Sequence, residues 1–136
     1  MSVPTGKRTE DKLAVAMNAK NLVLYTLHIT DNEKEFPIGQ NKDFIPKIRS
    51  LATDIFSKVW ASNNILVNNE ETKKKRLQLQ QDACIDCNTL LPMIEIACAL
   101  YHQPSKRLKY WTSLVVEVRN QIRAWRESDM KRYKEI

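Results

Sequence analysis

RLKYWTSLVVEVRNQIRAWRESD, residues 107 to 129, carries large apolar side chains at Leu108, Trp111, Val115, Val118, Ile122 and Trp125, alternating steps of three and four. That spacing lays one apolar stripe along an α-helix and matches no strand period. Pro104-Ser105 stands just before it, and Ser105 is predicted as the N-cap. A helix of this kind needs partner helices to cover its stripe, so the question is what the remaining residues supply.

Three further helices are predicted. Leu13, Met17, Leu24 and Leu27, with Ala16 and Val23 beside them, mark a first helix from near Thr9 to near Thr30. DNEKEFPIGQNKD then reads as a loop, with Phe36 expected to pack inward and pin it. Asp43 is a suitable N-cap for the second helix, and Pro46 falls in its first turn. Its apolar stripe is Ile48, Leu51, Ala52, Ile55, Phe56, Val59 and Trp60. The third helix is expected from near Glu70 to about Gln103, with Glu70 and Glu71 at the positive end of its dipole. Leu77, Cys84, Leu91 and Cys98, with Cys87, Ile94 and Tyr101, suggest a heptad seam, and Pro92 should bend that helix unless it stops there.

The composition agrees with helices. The chain has 136 residues, 43% of them apolar, with two glycines and five prolines, which is enough for one core and too few turn residues for an all-β fold. The predicted fold is all-α, an up-down-up-down four-helix bundle over residues 11–136, behind a flexible N-terminal arm at 1–10. No apolar run approaches the roughly 20 residues needed to cross a bilayer, and no apolar segment follows the first charges, so a soluble, cytoplasmic protein is expected.

CIDCNTLLPMIEIACALYH, residues 84 to 102, has the spacing Cys-x2-Cys, ten residues, Cys-x3-His. Four zinc ligands must converge, but on one continuous helix Cys84 and Cys98 stand about 21 Å apart at ~1.5 Å per residue. A redox CxxC belongs at a helix N-terminus, and this one lies more than three turns inside. Cys84, Cys87 and Cys98 are therefore read as reduced core thiols, with no metal and no cofactor. His28 and His102 are the only histidines, no nucleophile or metalloprotease motif is present, and Asp82 with Asp86 reads as a solvated helix face. No enzyme activity is expected.

Charge is unevenly distributed. Residues 1–104 hold 13 Lys and Arg against 12 Asp and Glu, whereas residues 105–136 hold 9 against 4. Arg119, Arg123 and Arg126 follow the fourth-helix seam at steps of four and three, with Lys106, Arg107 and Lys109 at its start. Lys73, Lys74, Lys75 and Arg76 form a second cluster opening the third helix. A basic stripe tracking a helix can bind phosphates or an acidic protein, and pairing with Glu117 or Asp82 would consume it.

Several of these elements resemble the small four-helix-bundle family that includes the accessory variability determinant (Avd) of diversity-generating retroelements and the proteins encoded by intervening sequences of bacterial ribosomal RNA genes. They are Phe36-Pro37, Ile48-Arg49 with Ala52 and Ile55, Asn64-Ile65, and Cys87-x2-Leu-Leu. Residues 107–129 look most like the Avd-like branch, and the similarity covers about residues 12–130. The resemblance implies a homopentamer whose basic surface binds the element's reverse transcriptase and RNA or DNA, supporting mutagenic cDNA synthesis. It assigns that surface to Arg119, Arg123 and Arg126, with Arg107 a weaker candidate. The rival expectation is an oligomeric helical scaffold that docks acidic protein without binding nucleic acid.

Overall fold

The computed structural model describes the backbone of residues 5–37 and 39–136, and side chains from residue 14 onward except at 38 and 40. Four helices account for it: α1 (Thr5–Thr30), α2 (Phe44–Asn63), α3 (Glu70–Leu100) and α4 (Ser105–Arg132), with a short 3-10 turn at Gly39–Asn41. Each helix packs on its chain neighbours and α1 closes the ring against α4. The result is the expected all-α four-helix bundle. Helix α1 begins at Thr5 rather than near Thr9, and residues 1–4 of the expected arm lie outside the described residues.

Local chemistry explains most boundaries. Asn69 caps α3 by accepting from the Thr72 amide at 2.8 Å, and the Thr72 hydroxyl accepts from the Asn69 amide in return. At the other end the Gln103 amide donates to the Cys98 carbonyl and the His102 amide to the Ala99 carbonyl, which is the Schellman arrangement. His102 takes the left-handed position, φ 51°, that glycine usually fills. Pro92 does not end α3. Pro104, rather than Ser105, holds the position before α4. Asp43 precedes α2 as expected but makes no side-chain cap bond.

The fourth-helix seam is buried from Trp111 through Trp125 as expected, with Leu108 half-covered, and continues one step further to Asp129. On α2 Ile48, Ala52, Ile55 and Val59 are buried as expected, whereas the faces of α1 and α3 are rotated from expectation. On α1 the buried face is Val15, Ala19, Leu22, Thr26 and Ile29, while Met17 and Leu24 are exposed. The reason lies opposite: Thr26 accepts from the buried Trp111 indole at 3.0 Å, so a hydroxyl is needed where a leucine would leave that N–H unpaired. On α3 the core register is Arg76, Gln80, Ala83, Cys87, Leu90, Ile94 and Ala97, with Cys84 and Cys98 on its flank. Leu77 and Leu91 are only half-buried. On α2 Trp60 is 50% exposed, stacked on Phe56, and Ser62 takes the inward place. Phe36 packs inward as expected, against Tyr101 and Trp111.

Helix α3 is long and apolar enough, by length and composition, to cross a bilayer, although Asp86, Asn88 and Glu95 interrupt its apolar residues. Core helices of bundles meet the same criterion. Only 39% of its apolar window is buried, however, and Ile85, Thr89, Pro92, Ile96 and Leu100 form an uncovered strip on its outer face.

At one end of the bundle the core is ionic. Arg76 donates from Nε to Asp129 at 2.7 Å, and Gln80 donates to the same carboxylate at 2.7 Å. Arg76 Nη1 reaches the Ile65 carbonyl at 3.0 Å, and its guanidinium lies over Trp125 and Tyr133. Removing one member of a buried pair strands the other charge. Asp129→Ala should therefore lower the unfolding free energy by about 3–5 kcal/mol in urea titration, while the double substitution Arg76→Met with Asp129→Leu should recover most of that loss. His102→Gly should raise stability by about 1 kcal/mol in the same assay, because glycine adopts the left-handed conformation without a Cβ clash.

Candidate nucleic-acid and partner interface

Arg119, Arg123 and Arg126 all lie on the flank of α4 that faces α3. Arg119 Nη1 donates to Asn88 Oδ1 at 3.1 Å, and Arg126 Nε donates to the Leu77 carbonyl at 3.2 Å. Arg123, between them, is exposed and lines a cleft with Arg126, Gln81, Cys84, Ile85, Asn88, Glu127 and Met130. Because α3 and α4 run antiparallel, Lys73 lies at the Arg126 end of the bundle. It sits one helical turn before Leu77, the residue that anchors Arg126.

The nearby acidic residues have other partners, of which those of Asp86 and Glu127 are cations. Asp82 accepts from Gln78 at 2.9 Å, Asp86 holds Lys58 at 2.5 Å, Glu117 lies 3.5 Å from the Asn18 amide, and Glu127 pairs with Lys131 at 3.8 Å. Among the described residues, none of Arg119, Arg123 and Arg126 forms an ion pair. Their hydrogen bonds go to neutral acceptors, which orient a guanidinium without cancelling its charge.

The other basic candidates separate into three groups. Arg76 is a correction: it is 2% exposed and committed to Asp129, so it cannot belong to a surface. Arg107 is a second correction, because α4 turns it toward α1, away from the stripe. There it contacts Glu35 at 3.4 Å and Gln103 at 2.5 Å, bracing the loop after α1. It also lies by Tyr25, whose phenol burial pushes up in pKa while Arg107 draws it back. Lys74 and Lys75 reach back one turn to Glu70 and Glu71, at 3.4 and 3.5 Å, an exposed pairing of small energetic weight. Lys106 and Lys109 are exposed at the opposite end of α4. Lys109 stands about 15 Å along the axis from Arg119 at ~1.5 Å per residue.

Sequence reasoning missed Ile85, Asn88 and Met130, which form the α3 wall and one end of the cleft. The available signal was that Ile85 and Ile96 stand off the predicted α3 seam, so its apolar residues spread over more of the helix than two neighbours can cover.

The three cysteines are buried and unbridged. Burial pushes all three thiols up in pKa, Cys87 to about 12, and the arginines near Cys84 only partly oppose it. Among the described residues no three His, Cys, Asp or Glu side chains converge on a common point. No family model matches this chain, and neither a curated protein nor a solved structure matches it.

A folded thiol that keeps its proton where the unfolded chain has lost it makes unfolding release a proton, so stability falls as pH rises from the ordinary 9.0 toward about 12. Lys58 acts in the same direction. Its hydrogen bond to Asp86 raises its pKa above 10.5, so its contribution is complete below that value and is lost as pH climbs through the folded pKa. The urea midpoint should therefore decline above about pH 9, and an aromatic disulfide reagent at about pH 8 should leave Cys87 unmodified until the chain unfolds.

Proposed function

We propose that this chain is a non-enzymatic accessory protein of a diversity-generating retroelement, Avd-like in kind. In this reading it binds the element's reverse transcriptase together with RNA or DNA to support mutagenic cDNA synthesis in the cytoplasm. One observation carries the reading. Arg119, Arg123 and Arg126 form a row on one flank of α4, and among the described residues no carboxylate forms an ion pair with them. The resemblance of residues 107–129 to the Avd-like branch supports the same assignment, and Lys73 adds a fourth cation.

In this reading the arginines bind phosphate oxygens and release condensed counterions, a sequence-independent attraction suited to a protein that accompanies a template along its length. The subunits assemble as a homo-oligomer, a pentamer, using apolar helix faces such as Ile96 and Leu100 on α3, which are 51% and 41% exposed. No cofactor takes part.

Replacing Arg119, Arg123 and Arg126 together by Glu should abolish retention of single-stranded RNA in a filter or anisotropy assay while leaving the circular dichroism spectrum helical. Neutral Gln replacements at the same three positions should flatten the slope of log affinity against log salt by about 2 for single strands. Unchanged RNA binding in the Glu variant, or binding by the original chain that is insensitive to salt, would remove nucleic acid from the reading.

A further inference from the structure

The cleft between α3 and α4 has a chemistry that a phosphate backbone does not need. Ile85 is 50% exposed and Met130 47% exposed, and both line the cleft beside Arg123 and Arg126. Phosphate recognition calls for donors and open access, and apolar side chains add nothing to it. An apolar floor rimmed by uncompensated guanidinium groups is complementary to a protein segment that carries an apolar side chain next to carboxylates.

We propose that this cleft docks an acidic amphipathic helical segment of a partner protein, an apolar anchor resting on Ile85 and Met130 while flanking carboxylates meet Arg123 and Arg126. Charge complementarity selects that occupant: two guanidinium groups line the cleft against one carboxylate, Glu127, whose exposed pairing with Lys131 carries little weight. Size agrees with it. The cleft holds about 290 Å³, room for one or two side chains of a docked segment. Its α3 wall, Gln81 to Asn88, runs two helical turns or ~10 Å, so the docked segment is short. Arg126 is already held by the Leu77 carbonyl and by Met130 Sδ, so little side-chain entropy is lost when a carboxylate arrives.

The inference rests on the reading above insofar as the partner is a protein; the cleft shares Arg123 and Arg126 with the arginine row, and its apolar residues Ile85 and Met130 serve the protein alone. The test uses the full chain and two probes in parallel, a fluorescent single-stranded RNA and a synthetic helical peptide with leucine flanked by glutamates one turn away on either side. Ile85→Asn and, separately, Met130→Ser should each weaken the peptide about tenfold and leave RNA within about twofold, since each removes apolar contact and no charge. Arg123→Ala should weaken both probes. Circular dichroism and mass by light scattering show whether each variant keeps its fold and assembly, and having the two substitutions on different helices guards against a packing defect in one.

Peptide binding that is equal for a glutamine-for-glutamate control, or that survives both apolar substitutions, overturns the docking proposal and leaves the nucleic-acid reading standing. RNA binding that falls with Ile85→Asn as steeply as peptide binding assigns the cleft to RNA and also overturns it. Peptide binding with the expected losses, but no RNA binding by the original chain, sustains the docking site and removes nucleic acid instead.

Discussion

The ion pair between Arg76 and Asp129 is the constraint around which this bundle is arranged. Arg76 is 3% exposed and Asp129 fully buried in their side chains, and two charges so placed are tolerable only when nearly every donor and acceptor is matched. They are closely matched: Asp129 receives Arg76, Gln80 and Arg132, while Arg76 also reaches the Ile65 carbonyl. The Arg76 main-chain carbonyl in turn accepts from Ser62 on α2. Three helices and a loop meet at this one residue, and sliding α3 against α4 by a turn would strand a buried charge.

That register carries through to the surface. With the start of α3 tied to the end of α4, Leu77 stands opposite Arg126 and Asn88 opposite Arg119, so the stripe borders α3 and acquires an apolar floor. The same antiparallel arrangement puts Lys73 at the Arg126 end and Lys106 with Lys109 at the other. A buried salt bridge is weak evidence for net stability, but it is an effective device for excluding alternative registers, as single buried polar residues are in coiled coils.

How much was legible in the residues varies by helix. Helix α4 was read almost completely, because alternating steps of three and four admit only one stripe, and only its extension to Asp129 was missed. Helix α1 offered two plausible faces, one with Met17 and Leu24 and one with Ala19, Leu22 and Thr26. Hydrophobicity favours the first, yet the second is buried because the Trp111 indole needs the Thr26 hydroxyl. In α3 the leucines at 77 and 91 drew the seam one position away from Arg76 and Gln80, since polar residues are not expected in core register. For the candidate site, the row of three arginines was visible in the spacing alone, whereas its apolar lining on α3 was not, because that lining belongs to a different helix.

By itself the sequence determined the helical class, the number of helices, their approximate limits and the burial of the cysteines, all of which follow from local periodicity, capping chemistry and the rise of a helix. Tertiary structure alone decided which cations remain available. Lys73, Lys74, Lys75 and Arg76 are consecutive and chemically alike, yet Lys74 and Lys75 reach back to glutamates on their own helix and Arg76 is locked in the core. A charge acquires its role from the partner it meets, and those partners, Asp129 for Arg76 and Glu35 for Arg107, lie 53 and 72 positions away in the chain.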